Sequence, residues 1–206
     1  MTVIRKQDVI SSVADALQYI SYYHPLDFVQ ALEKAYHKEE SQAAKDAMAQ
    51  ILINSRMSAE GHRPICQDTG IVTCFVNIGM QVQWDSTDMT VQQMVDEGVR
   101  QAYTNPDNPL RASVLLDPAG KRINTKDNTP AVVHINMVPG NTVEIQIAAK
   151  GGGSENKTKM VMLNPSDDIA EWVEKTLPTM GAGWCPPGML GIGIGGTAEK
   201  AAVLAK

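Results

Sequence analysis

Apolar residues recur at helical spacing through the first sixty positions and at two-residue spacing in later stretches. Val9, Ile10, Val13, Ala16, Leu17 and Ile20 form one stripe, which predicts a helix. His24-Pro25 interrupts it, and Phe28, Ala31, Leu32 and Tyr36 make the face of a second. Ser41 is placed to cap a third, which carries Ala44, Ala47, Met48, Ile51 and Leu52 and stops at Gly61. From Ile71 to Ile78 the period changes to two, and Val72, Cys74, Val76 and Ile78 share one face of a strand. Thr90 and Gln93 are spaced as a capping box opening a fourth helix, lined by Met94, Val95 and Val99. Val133, Ile135 and Met137, then Val143, Ile145 and Ile147, alternate on either side of Pro139-Gly140-Asn141, which predicts a β-hairpin over 131–149. Asn164-Pro165 is placed to cap a helix with Asp167 and Asp168 in its first turn and Ile169, Trp172, Val173 and Leu177 as its buried stripe. A last helix runs from Ala198 to Lys206. The pattern predicts an α+β fold, with an amino-terminal helical group (1–60) packed on a mainly antiparallel sheet within a mixed region (61–206).

Composition narrows the class. At 206 residues the chain can bury a core as one large domain or two small ones. A hydrophobic share of 43% with 20% charged residues fits an ordinary globular protein. No apolar run approaches the roughly 18 residues of a membrane span, so no membrane partner is expected. A net charge of −5 without a clustered basic run argues against nucleic acid. Three cysteines, and no apolar segment after the Met1–Lys6 start, suit a reducing, cytoplasmic setting. A dianionic substrate would need local positive charge, for which Arg63, Arg111, Lys150 and Lys157 are the candidates.

The candidate chemistry lies in loops. His62-Arg63-Pro64-Ile65-Cys66-Gln67-Asp68-Thr69-Gly70 sets a thiol, an amide, a carboxylate and a hydroxyl side by side, with no amphipathic pattern. Pro64 stiffens its approach and Gly70 permits a tight exit. A surface turn with an incidental cysteine is the plain alternative. Gly181-Ala182-Gly183-Trp184-Cys185-Pro186-Pro187-Gly188 is a second rigid loop bearing a cysteine. Two distant cysteines on stiff loops suit ligands of one metal centre, although a zinc site would more typically show a Cys-x-x-Cys pair. Cys74, on the apolar face of its strand, reads as a core thiol. His134 and the Tyr22-Tyr23-His24 cluster read as structural, and Lys121–Asn128 as a solvated loop. Gly191, Gly193 and Gly196 match G-x-G-x-x-G, but no full strand precedes them, so a thin strand and turn beside the Cys185 loop is the better reading.

Ile65-Cys66-Gln67-Asp68-Thr69-Gly70, Lys150-Gly151-Gly152-Gly153-Ser154-Glu155-Asn156-Lys157 and Gly183-Trp184-Cys185-Pro186-Pro187-Gly188, in that order, resemble the amino-terminal catalytic region of class I, iron–sulfur fumarate hydratase. The resemblance runs from end to end of the chain. It implies reversible hydration of fumarate to L-malate, with tartrate dehydratase as the related alternative. A non-catalytic cluster-binding or structural module is a further alternative, against which Asp68 and Arg111 count. The resemblance implies a [4Fe–4S] cluster held by three cysteines. Cys66 and Cys185 match two of them, and the third lies in a later segment that this chain does not contain. It also implies that Asp68 is catalytic and acts with a Thr from that missing carboxy-terminal region. By the same likeness, Gln67, Arg111 and the amides of Gly151, Gly152 and Gly153 bind a small dicarboxylate. The resemblance further implies a homodimer when the enzyme is intact. The last helix has no stop signal, so the chain reads as truncated, and the fragment alone is expected to hold no stable cluster and to be inactive.

Overall fold

The structure is a computed structural model and describes residues 2–185 and 187–206. The elements in chain order are β1 (Val3–Ile4), α1 (Lys6–Tyr22), α2 (Leu26–Lys38), α3 (Gln42–Gly61), β2 (Ile71–Gly79), β3 (Gln83–Trp84) and α4 (Val91–Tyr103). They continue with β4 (Leu115–Leu116), β5 (Ile123–Asn124), β6 (Val132–Val138), β7 (Val143–Lys150), α5 (Gly152–Glu155), α6 (Ile169–Thr176), a 3₁₀ turn (Leu177–Met180) and α7 (Ala198–Ala205). Helices and small sheets together make the expected mixed α+β fold. The chain divides into two compact units, 1–150 and 151–206. No helix among the described residues is long and apolar enough to cross a membrane.

The first unit is built around β2. Val72, Cys74, Val76 and Ile78 turn one face of that strand into the core, where α1 contributes Val13 and Leu17 and α4 contributes Val95, Val99, Ala102 and Tyr103. The stripes of α1 and α4 therefore do what their spacing predicts, whereas in α2 and α3 only Leu32 and Met48 of the expected stripes are buried and Ala31 and Ala47 are exposed. The helix that joins α1 over the sheet, however, is α4, while α2 and α3 pair mainly with each other. Gly98 allows the close approach, since a Cβ there would lie 2.7 Å from Ile10 O and from Val13 Cβ. Two local expectations are met by their caps. Ser41 accepts from the Ala44 amide, and the Thr90 and Gln93 side chains each bond the other's backbone N–H.

The expected hairpin over 131–149 does not form. β2 sits between its two arms, parallel to β6 and antiparallel to β7, in the order β6-β2-β7. The 139–142 connection crosses the end of β2, where Gly79 N–H donates to Thr142 O and Met80 N–H to Val138 O. A side chain at Gly79 would strike the Gly140 carbonyl at 2.5 Å, so the crossing depends on that glycine. Alternation shows which face a strand buries, not which strand it pairs with. β2, the most buried of the three, takes the central place. β6 is left at the sheet edge, where Val133 packs on the core while Ile135 and Met137 stay exposed.

The second unit departs further from its pattern. α6 begins at Ile169 with Asp168 as its cap, accepting from the Glu171 amide, rather than at Asn164-Pro165. Asn164 instead pairs with Asp167. Trp172, Val173 and Leu177 are only half-buried and Ile169 is exposed. Among the described residues 151–206, no side chain is fully buried, because a unit of this size has too little chain to enclose a core. The segment around Gly191–Gly196 forms no strand. Gly191 and Gly193 lie against the carbonyls of Ala205 and Ala201, one helical turn apart on α7. The alternate glycines let the backbone rest directly on that helix.

Candidate active site

The Cys66 loop leaves α3 through His62, which takes a left-handed conformation (φ 48°) as the C-cap. Its ring stacks on Tyr22 with centroids 4.7 Å apart, so the aromatic cluster anchors the loop's entry and lies away from its chemistry. Ile65 N–H donates to Ser21 O, Asn54 Nδ2 to Ile65 O and Arg63 Nη1 to Asp107 O. Arg63, a candidate cation, is thus engaged in holding the loop. At the exit, Gly70 has φ 86°, and a Cβ would meet Ala149 and Lys150 backbone at 2.7–2.9 Å. Only glycine lets the chain turn into β2 so close to β7.

Between these anchors Cys66 and Gln67 are exposed and Asp68 is half-buried. The Asp68 amide donates to Cys66 Sγ at 3.4 Å, and the thiol reaches Gln67 Oε1 at 3.3 Å. Gly70 N–H donates to Asp68 Oδ1 at 3.3 Å, an Asx turn that orients the carboxylate. Thr69 Oγ1 donates to Arg111 O at 2.8 Å. That bond brings the exposed Arg111 segment, which follows the Asn105–Pro109 loop, against the Cys66–Asp68 loop. Lys150 stands opposite Ile71 in the ladder, at the same end of the sheet.

Two buried polar side chains lie beneath. Tyr103 donates to Thr69 O at 2.7 Å and reaches Gly70 O at 3.0 Å. Burial pushes its phenol well up, the Thr69 and Asn128 bonds pull it down, and the nearby Asp68 charge adds to the rise, so it remains a donor. Asn128 donates from Nδ2 to Gly70 O at 3.0 Å. Its Oδ1 accepts from Ser113 N–H at 2.7 Å and Val114 N–H at 3.3 Å. Asn128 is fully buried, which corrects the reading of Lys121–Asn128 as a solvated loop. A run of polar residues carries no periodic sign that one of them points inward, so sequence reasoning passes over it.

In the second unit, Gly151, Gly152 and Gly153 are half-buried. They lead into the single turn α5, where the Glu155 amide donates to Gly151 O. Gly153 lies against the Gly183 carbonyl, and Ser154 Oγ approaches Trp184 O at 3.5 Å. The triple-glycine stretch therefore abuts the loop that carries Cys185. Lys157 covers Gly183. Cys185 is exposed and held at φ 58°, an uncommon conformation for a non-glycine residue, with its amide donating to Ala182 O. Such a held conformation marks a position worth testing for function. Among the described residues, no three His, Cys, Asp or Glu side chains gather as a metal site.

The family model for fumarate hydratase (Fumerase) matches residues 10–206. The chain belongs to the fumarate hydratase family. It is 37% identical over 201 residues to a Methanocaldococcus jannaschii protein with the provisional name L(+)-tartrate dehydratase subunit alpha, covering 94% of this chain and 69% of that one. It is 31% identical over 167 residues to the class I anaerobic fumarate hydratase of Escherichia coli, covering 79% of this chain and 30% of that one. An L(+)-tartrate dehydratase subunit alpha of Escherichia coli is 28% identical over 199 residues, at 94% and 64% coverage. Relatives in the fumarate hydratase family thus carry both hydro-lyase names, and the chain spans 30% to 69% of the length of these three.

The three thiols differ in reactivity. Cys74 is fully buried, and burial, with the Asp96 charge, pushes its thiol up to about 12. Thiolate is the reactive form, so Cys74 should be inert to an aromatic disulfide reagent near pH 8, while the exposed Cys66 and Cys185 react. Titration of the native chain is expected to give two fast thiols, and denaturation to release the third. Three fast thiols in the native chain would contradict the placement of Cys74.

Proposed function

We propose that this chain forms the cluster-loop part of an iron–sulfur hydro-lyase acting on a small dicarboxylate. The observation that supports this reading is the Thr69–Arg111 bond, which makes the segments that carry Asp68 and Arg111 neighbours. A purely structural loop has no need of either. Cys66 and Cys185 are the proposed thiolate ligands, since both are exposed on held loops and Cys74 is enclosed in the core. The donor set fits two of the three cysteine positions that the resemblance implies, and the reading takes the third from a remaining region or subunit of the enzyme. The Asp68 N–H on Cys66 Sγ is the kind of bond that tunes a ligating sulfur. When bound, the cluster supplies an open iron as a Lewis acid for the substrate hydroxyl.

The chain's own residues have separable roles. The Arg111 guanidinium and the Gln67 amide bind substrate carboxylate, and the amides of Gly151, Gly152 and Gly153 help to position it. Asp68 moves the proton on the carbon next to that carboxylate, in company with a group from the rest of the enzyme. Arg111 then also stabilises the negative charge that builds on the carboxylate as the proton leaves.

Interconversion of L-malate and fumarate is the first substrate reading. L(+)-tartrate is the second, favoured by the 37% identity to the archaeal protein over 94% of this chain. Anaerobic reconstitution of the native gene product with its remaining region or subunit, followed by parallel assays on both acids, decides between them. Failure to turn over either would reject the reading.

A further inference from the structure

Asn128 and Tyr103 bear on the joint between two segments that the proposed chemistry needs in register. We infer that they are positioning residues, which set the Cys66–Asp68 loop against the Arg111 segment. The inference rests on the hydro-lyase reading for its purpose, although its geometry stands alone. Asn128 spans the two segments directly, with its donor on Gly70 O and its acceptor on the amides of Ser113 and Val114. Gly70 is two residues from Asp68, and Ser113 is two from Arg111. One amide side chain therefore fixes the separation of the proton-transferring carboxylate and the substrate-binding cation. Tyr103 bears on the same joint from α4, through Thr69 O and Gly70 O.

Both residues are themselves immobilised. Asn128 is 0% and Tyr103 2% exposed. Asn128 takes φ 61°, a conformation that asparagine tolerates better than most residues. The segment around it is tied to α4, where Arg100 Nε meets Asp127 Oδ2 at 3.0 Å and Ala131 N–H donates to Asp96 Oδ1 at 2.8 Å. Helix α4 thus carries Tyr103 and holds the strap that carries Asn128. The site loops rest on a rigid element, which is what a site requiring sub-ångström placement needs. A buried amide satisfied by three backbone groups from two distant segments is a costly way to add stability alone, because removing it takes the acceptor from the Ser113 and Val114 amides and leaves Gly70 O to Tyr103.

The test separates positioning from stability. Spin labels are attached at Cys66 and at Arg111→Cys in the full 206-residue chain with Cys185→Ser, and the distance distribution is measured well below the unfolding transition. Asn128→Gly keeps the backbone conformation available and removes only the side-chain bonds. Tyr103→Phe removes only the hydroxyl and serves if Asn128→Gly does not fold. Val9→Ala, in the separate cluster with Ile10 and Met94, is the control for destabilisation. The Asn128 and Tyr103 variants are expected to broaden the distribution and the control to leave it narrow. In the reconstituted enzyme, Asn128→Gly should lower kcat/KM by about 100-fold, the loss that a 1 Å misplacement can cause. An unchanged distribution in the Asn128 and Tyr103 variants, or equal broadening in the control, overturns the inference. Absence of turnover in the wild-type enzyme rejects the hydro-lyase reading instead, and the distance distributions alone then decide whether the joint exists.

Discussion

Asp68→Asn is expected to lower kcat of the reconstituted hydro-lyase by about 10²–10⁴-fold, the usual worth of a positioned acid–base group, with KM little changed. The substitution keeps the shape and can preserve the acceptor for the Gly70 amide, so the loop should hold its turn. The negative charge and, with it, the ability to take and return a proton are lost. Arg111→Ala should act mainly on KM, with a smaller fall in kcat because the guanidinium also stabilises the charge that builds on the carboxylate. A charge-assisted hydrogen bond is worth roughly 1.5–3 kcal/mol, so KM should rise by about 10- to 150-fold. Arg111 O, which accepts from Thr69, is backbone and survives the change. Steady-state kinetics on the two variants give the check. Equal losses in kcat and KM for both would mean that the two residues do not divide the work of proton transfer and carboxylate binding.

The second large effect is on folding. Leu17→Ala should destabilise the first unit by about 2–5 kcal/mol, the cost of emptying a well-packed site that cannot collapse. Leu17 is 1% exposed, in the layer where α1, α4 and β2 meet. A change on β6 makes the comparison: Ile135 is 48% exposed, so Ile135→Ala should move stability by no more than about 0.5 kcal/mol. Urea unfolding of the two variants tests the sheet order directly. In a β6–β7 hairpin with Ile135 on the buried face, the second substitution would cost nearly as much as the first.

What can be read from the sequence follows from the range of each signal. Val72, Cys74, Val76 and Ile78 show their face because burial imposes period two within one strand. Thr90 and Gln93 show a helix start because the capping box closes over three residues. Motif residues 66–68 stand out because a thiol, an amide and a carboxylate in sequence have no packing use. The hairpin expectation fails because its two arms pair with a third strand, and no local pattern encodes a partner. Asn128 escapes notice for a similar reason. Its partners lie 58 residues away at Gly70 and 15 residues away at Ser113, within a stretch whose polarity reads as solvation. The exposed apolar residues of the second unit, among them Met160, Met162, Ile192 and Ile194, are equally illegible. Apolar character signals burial only where there is enough chain to supply a cover.

The proposal that Cys66 anchors an iron–sulfur cluster used for hydro-lyase chemistry is tested most directly by one paired experiment. Wild-type and Cys66→Ser gene product, each with its remaining region or subunit, are reconstituted anaerobically with iron and sulfide and scored for visible absorbance and for turnover of L-malate and L(+)-tartrate. The wild type should show cluster absorbance and dehydrate at least one of the acids, and Cys66→Ser should lose both signals while keeping the wild-type far-ultraviolet circular dichroism. A folded Cys66→Ser protein that retains both the cluster and the turnover would contradict the assignment of Cys66 and, with it, the reading of the loop around it.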